Sequence, residues 1–288
     1  MHMAELKPTR AGFAPLSAIA YFSQRFVTHP SARRRIGRMV GRLAGAAGVG
    51  PAEAGPQAES LRTLQEQGLL RLGRALSPGE VAETRAHFDG CTPEFRSKDG
   101  TVEEFSTVDV VKAPHLLAFA ASPALLGLAA GYLGCRPTIS CLGVRRSHPG
   151  PEDPHWGQAF HRDVDDWASV KLFVYLSDVE EGYGPHIFLE RSHRTPGTIL
   201  LKDRTAEEVE AIGRPTALLG PAGTAFLVDT FGLHRGEPPR RGTRLLFQVQ
   251  YSVLPVGLYR YDVRVPARDL PAELARGLDR HACRLFVS

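Results

Sequence analysis

The residues best suited to chemistry are His161 and Asp163, in the run Gln158-Ala-Phe-His-Arg-Asp163 just ahead of a β-rich stretch. In extended backbone, residues i and i+2 project from the same face. His161 and Asp163 can therefore grip one ion from a single strand end, while Arg162 between them must point away. Two imidazoles and a carboxylate on one face of an octahedral iron leave three positions open, enough for a chelating co-substrate and dioxygen. The second imidazole must come from elsewhere, and the chain has 11 histidines. His234 is the best placed, because it follows the strand-like run Thr224-Ala-Phe-Leu-Val228 and a turn. Further on, Arg244 opens another strand-like run, Arg-Leu-Leu-Phe-Gln-Val-Gln-Tyr251. An arginine there suits a dicarboxylate, since its planar fork binds a carboxylate through two hydrogen bonds. An H-x-D tripeptide alone is a weak signal. Joined to a distal His and then an Arg at a strand start, it meets several independent requirements.

Other residues compete for roles around this centre. Asp165 shares the parity of Asp163 and is the rival carboxylate; for Asp165 and Asp166 the plain reading is a solvated turn. Lys171 alternates with Phe173 and Tyr175 in Lys-Leu-Phe-Val-Tyr-Leu176, so it either enters the pocket or lies outward at a sheet edge. Lys171, Gln158 and Tyr175 are candidate contacts of co-substrate or substrate. Arg145, Arg146, His155 and Arg162 are candidates for the substrate rim. His148, His186 and His193 read as local histidines, with loop packing the simplest account of His193. The chain lacks a G-x-S-x-G elbow, an H-E-x-x-H helix and a P-loop.

These residues need a scaffold, and the pattern divides it in two. Ser60 to Gly68 reads as a helix stopped by glycine, followed by a short strand over 69–72. Ser77-Pro78-Gly79-Glu80 is a capping box with proline at the first helical position, opening a helix to about Phe88. Ser122-Pro123 opens another, running to Tyr132 and closed by Gly134. The second half changes character. Residues 138–146, 170–176, 186–189, 224–228 and 244–253 are strand-like, rich in β-branched and aromatic residues between Gly/Pro turns. Helices followed by many strands imply a mainly β barrel or sandwich with flanking helices.

Composition narrows the setting. At 288 residues and 43% hydrophobic, the chain can bury a sizeable core. A net charge of +4, with no nucleic-acid motif, gives no reason to expect nucleic acid as a partner. No stretch reaches the roughly 18–20 apolar residues of a membrane span. Cys91, Cys135, Cys141 and Cys283 form no C-x-x-C pair and read as reduced thiols, so a cytoplasmic location is expected. Residues 1–50 hold eight Lys/Arg against a single acid, Glu5. Within them, residues 32–43 suggest a short basic amphipathic helix, solvated or docked, with membrane-surface contact as the lesser alternative. Residues 43–57, rich in Ala, Gly and Pro, read as a linker. The expected division is a basic extension and linker over 1–57 and a catalytic domain over 58–288. Within the latter, 58–134 is helical, 135–255 is the β core and 256–288 is a tail.

Taken together, these residues resemble the phytanoyl-CoA dioxygenase family of Fe(II)/2-oxoglutarate oxygenases, over roughly residues 60–255. The likeness rests on Gln65-Glu-Gln-Gly-Leu-Leu-Arg-Leu72 ahead of the capped helix, on His161-Arg-Asp163, and on Tyr175 to His186 followed by Leu189-Glu-Arg-Ser-His-Arg194. His234 and Arg244 complete it. The resemblance implies a double-stranded β-helix (a cupin-like jelly roll) flanked by helices. It implies Fe(II) on His161, Asp163 and His234, and 2-oxoglutarate on Arg244. The reaction implied is oxidative decarboxylation of 2-oxoglutarate by dioxygen, coupled to hydroxylation of a small or medium polar molecule, with an acidic one suited to the nearby arginines. Iron halogenases of related fold carry Gly or Ala in place of the carboxylate; Asp163 favours hydroxylation. The alternative is a metal-holding β-helix that senses or binds without turnover. Two positions depart from the pattern: Arg191 stands where many relatives have Gly, and Gly236 where some place a co-substrate-binding Ser. The second departure leaves one co-substrate contact unassigned.

Overall fold

In the computed structural model, the described residues are 23–44, 56–150, 159–197, 203–254, 265–270 and 286–287. His155, Gln158 and Cys283 lie outside them. Among the described residues, a 3-10 turn (Gln24–Phe26) precedes helix α1 (Pro30–Leu43) and helix α2 (Pro56–Gln67), then strand β1 (Leu69–Arg74) and helix α3 (Pro78–Asp89). A short hairpin of β2 (Phe95–Arg96) and β3 (Val102–Glu104) leads to helices α4 (Thr107–Lys112), α5 (Leu116–Ala120) and α6 (Pro123–Leu133). Strands β4 (Thr138–Ser147), β5 (Ser169–Tyr175) and β6 (His186–Phe188) follow, then helix α7 (Ala206–Glu210). The core closes with β7 (Thr216–Leu218), β8 (Thr224–Val228), β9 (His234–Gly236) and β10 (Arg244–Ser252). In the tail, Val265–Pro266 pairs in parallel with Phe286–Val287.

Local chemistry explains the boundaries. The Ser77 hydroxyl accepts from Glu80 N at 3.3 Å, and Glu80 Oε2 accepts from Ser77 N at 2.8 Å, which completes the capping box. Gly134 ends α6 with φ 73°, a left-handed cap that glycine adopts without steric cost. Gly68, at φ +74°, turns α2 into β1, and a Cβ there would lie 2.4 Å from His193 Nδ1.

Two sheets face each other. The large one runs β1-β8-β5-β10-β4-β3-β2, and the small one β7-β6-β9. Backbone bridging of His161 to His234 adds the 160–161 segment to the small sheet's edge. Mainly antiparallel strands in two opposed layers make the double-stranded β-helix that the resemblance implied.

The faces of the large sheet differ by strand parity. On β5, Val170, Leu172 and Val174 join the layer between sheet and helices, with Leu64 of α2, Phe88 of α3 and Leu133 of α6. Phe173 and Tyr175 turn the other way, into the barrel, with Phe226 of β8 and Leu246 of β10.

Where structure and expectation differ, the reasons are local. Helix α1 starts at Pro30, two residues ahead of the expected 32–43, and α2 starts at Pro56, inside the stretch read as linker. Proline at the first helical turn initiates both, outweighing the Ala/Gly composition around them. Helix α1 is docked, its Arg33, Gly37 and Gly41 stripe buried. A Cβ on Gly41 would lie 2.8 Å from Cys135 Cβ, so the two elements approach at a distance only glycine permits. Strands β2, β3 and β7 had no counterpart in the sequence reading, because two or three residues carry no periodicity. Among the described residues, Cys91, Cys135 and Cys141 form no disulfide, and no helix is long and apolar enough to cross a membrane.

Candidate metal and co-substrate site

His161, Asp163 and His234 converge at one end of the barrel. One ligand atom from each lies within 4.8 Å of the others. His161 Nε2 is 3.7 Å from Asp163 Oδ1, and His234 Nε2 is 3.5 Å from Asp163 Oδ2. Backbone pairing sets this geometry. His161 N donates to His234 O at 2.9 Å, His234 N donates back to His161 O at 3.1 Å, and Asp163 N donates to Thr230 O at 2.8 Å.

The tautomers follow from the backbone. His161 Nδ1 lies 3.3 Å from Ala159 O and His234 Nδ1 lies 3.0 Å from Gly232 O. A carbonyl only accepts, so each Nδ1 carries a proton and each Nε2 is the nitrogen turned toward Asp163. Burial, with the neighbouring His161, pulls His234 down to about 3, which keeps it a neutral ligand. Burial works to raise the Asp163 carboxyl, but Lys171, His234 and His161 hold it well below the usual carboxylate range.

Lys171 faces inward on a central strand rather than outward at a sheet edge. Its Nζ lies 2.7 Å from Asp163 Oδ2 and 3.3 Å from Asp165 Oδ2. These two carboxylates outweigh burial and raise the lysine above its ordinary value. Asp165 is thus the second partner of Lys171, and Asp163 the member of the metal-competent cluster. Asp166 is buried rather than in a solvated turn; its Oδ1 accepts from Trp167 N and its Oδ2 from Leu254 N, both at 2.8 Å.

Arg244 is buried at the opposite end of the barrel interior from Lys171, 6% exposed. Its Nη1 donates to the carbonyls of Gly184 and Glu237, and its Nη2 lies 3.3 Å from Ser147 Oγ. An open cleft of about 840 Å³ contains Arg244, Gly236, Ser147, Arg145, His148 and His161. It therefore joins Arg244 to a metal-competent histidine. A second, smaller cleft of about 490 Å³ reaches Asp163 from the side of α1, between Arg34, Tyr132, Trp167 and Phe231.

The remaining candidates separate. Arg145 faces the cleft and pairs with Glu104 at 2.5 Å. Arg146 does not reach the rim, because adjacent strand residues face opposite ways. It binds Asp89 at 2.8 Å and Glu103 at 3.4 Å and covers the Phe105 ring on the helix side. Arg162 points away from the cluster, donating to Ser192 O, Phe231 O and Thr195 Oγ1, so it ties loops together. The Tyr175 hydroxyl is occupied: it donates to Leu218 O at 2.8 Å and accepts from His186 N at 2.9 Å. His193 is buried, its Nε2 3.0 Å from Gln65 O, in the packing role expected of it.

Sequence reasoning missed His186. It lies inside the barrel, its ring stacked 5.4 Å from that of His234 and 4.7 Å from that of Phe173. A local signal existed, since His186 and Phe188 share the inward parity of β6. The pairing that brings this face to His234 was not visible in the sequence.

No family model matches this sequence, and no curated protein sequence matches it. Solved structures share the fold. The non-haem α-ketoglutarate-dependent epimerase SnoN, from nogalamycin biosynthesis, aligns at 16% identity over 68% of this chain and 80% of its own, with TM-score 0.55. EctD from S. alaskensis, with bound Fe, aligns at 20% identity over 70% and 79%, with TM-score 0.53. HygX from Streptomyces hygroscopicus, with nickel, 2-oxoglutarate and hygromycin B, aligns at 16% identity over 67% and 86%, with TM-score 0.51.

Proposed function

We propose that this chain is an Fe(II)/2-oxoglutarate-dependent oxygenase of the phytanoyl-CoA dioxygenase type that hydroxylates a small or medium polar molecule. The observation that carries the reading is a His-Asp-His cluster whose His161 lines the same cleft as the buried Arg244. The donor set fits the ion: two imidazoles that turn Nε2 toward one carboxylate are the ligands of non-haem Fe(II) with open positions. His161, Asp163 and His234 would hold Fe(II), and Arg244 the distal carboxylate of 2-oxoglutarate. When bound, the pair supplies oxidation of an unactivated C–H bond by dioxygen, with decarboxylation of the co-substrate.

The chain's own residues do the rest. Lys171 pins Oδ2 of Asp163, which fixes the carboxylate's orientation. Formal charge also supports the pairing. Two carboxylates against one lysine leave a unit of negative charge, which a divalent cation reverses. A dianionic co-substrate together with Arg244 then brings the interior to neutrality. Phe173, Phe226 and Leu246 line the barrel interior and exclude water from it. Residues before 58 contribute a wall, since Arg33 of α1 donates to Asp166 O at 2.7 Å, near the site. The test is succinate release from 2-oxoglutarate under air with Fe(II), compared with Zn(II). Iron-dependent release supports the reading. Binding of metal without any 2-oxoglutarate binding supports a sensing module instead, and turnover with zinc that needs no oxygen supports a hydrolase or isomerase.

A further inference from the structure

We propose that His186 is a co-substrate contact, donating a hydrogen bond from Nε2 to the carboxylate that faces Arg244. The inference rests on the function proposed above and identifies the contact that Gly236 does not provide. Four observations carry it. His186 is 5% exposed, and its Nε2 is buried without a hydrogen-bond partner among the described residues. An unpartnered buried ring nitrogen is costly in either tautomer, so a native protein keeps one where something else satisfies it. The ring is fixed rather than loosely packed, standing between Phe173, Phe226 and His234. Its backbone N–H is also anchored on the Tyr175 hydroxyl.

The position completes the argument. In the β6–β9 pair, His186 lies directly across from Gly236, and Phe188 across from His234. His186, Gly236 and His234 therefore share the inward face, with Gly236 two residues past the metal-competent histidine. A Cβ on Gly236 would find one neighbour within 4 Å, Arg244 Nη2 at 3.9 Å. The glycine thus leaves room between the cluster and Arg244, and His186 stands directly across from it on the neighbouring strand. Its ring lies 5.4 Å from that of His234, and the glycine opposite it has Arg244 Nη2 as neighbour, so His186 stands between the two ends of the site. A side chain at 236 would occupy this space; the imidazole from the opposite strand reaches it instead. Arg244 supplies the charge and His186 a directional donor, so the carboxylate is held from two strands.

The test uses the full chain with Mn(II) in place of iron and measures ligand affinity by calorimetry. His186→Phe keeps a ring among Phe173 and Phe226 but removes the donor; His186→Gln keeps a donor. Pyruvate, a 2-oxo acid without the distal carboxylate, serves as the control ligand. The expected result is that H186F binds 2-oxoglutarate on the order of tenfold or more weakly, as loss of a hydrogen bond to a charged group implies. H186Q stays much closer to wild type, and both variants bind Mn(II) and pyruvate as wild type does. Equal 2-oxoglutarate affinity in wild type and H186F overturns the inference. So does a parallel loss of metal or pyruvate binding in H186F, which would mean that the ring acts through His234. Wild-type protein that binds Mn(II) but no 2-oxoglutarate overturns the proposed function itself.

Discussion

The two faces of the large sheet are built from the same strands and obey different rules. On the helix side, Val170, Leu172 and Val174 of β5 meet Phe247 and Val249 of β10 and the helices behind them. Burial is all that is asked of these side chains, and similar shapes can replace one another at modest cost. On the barrel side, Lys171 has two named carboxylate partners, Tyr175 has a donor and an acceptor, and Arg244 is ringed by carbonyls and Ser147. Tyr175 and Arg244 are buried and Lys171 is partly buried, and losing a partner leaves the other group stranded. One face therefore sets stability and the other sets chemistry, although residues one apart in sequence supply both.

Substitutions on the two faces should separate these properties. The largest effect is expected for His234→Ala, which removes a buried ligand and should abolish metal-dependent turnover while leaving a folded protein by circular dichroism. Lys171→Met should come next. It frees Asp163 from its partner and should weaken Fe(II) affinity by about 10–100-fold, the range for residues that orient a ligand; a metal titration of the variant reads this directly. Leu172→Ala, one residue away, should cost about 2–5 kcal/mol of stability in denaturant unfolding with metal affinity unchanged. A large metal defect in L172A, or none in K171M, would break the distinction between the faces.

A smaller effect is expected from Asp166, which burial raises to about 7 despite its backbone hydrogen bonds and nearby Arg33. Its folded value lies above the ordinary 3.8, so between roughly pH 4 and 7 the folded state binds more protons than the unfolded one. Stability from this group is therefore fully present below pH 4 and is lost as pH rises through 7. Asp166→Asn should flatten that slope in thermal melts across the interval. An unchanged slope would show that another group governs it. The smallest effect is expected at the α3 cap, where Ser77→Ala should cost about 1 kcal/mol without changing ligand affinity.

Much of this was legible in the sequence because it depends on period. The i, i+2 rule put His161 and Asp163 together and turned Arg162 away, and strand parity put Lys171 with Phe173 and Tyr175. The same rule should have separated Arg145 from Arg146, which cannot both face the cleft. What was illegible depends on pairing between distant strands. The partnership of Lys171 with Asp163 and Asp165, and the placement of His186 opposite Gly236, follow from register that a single sequence does not display. The sequence left α1 either solvated or docked for a related reason. Its buried stripe consists of Arg33, Gly37 and Gly41, which hydrophobic periodicity does not register, and Gly41 matters because Cys135 approaches it.

The central claim is that His161, Asp163 and His234 hold iron for a 2-oxo acid co-substrate. The most direct test is an anaerobic titration of wild type and His161→Ala with Fe(II), followed by 2-oxoglutarate, watching for the visible absorption of the chelate. The account predicts tight iron binding and a 2-oxoglutarate-dependent band in wild type, both lost in the variant. Equal iron binding by the two proteins, or iron binding in wild type with no such band, would contradict it.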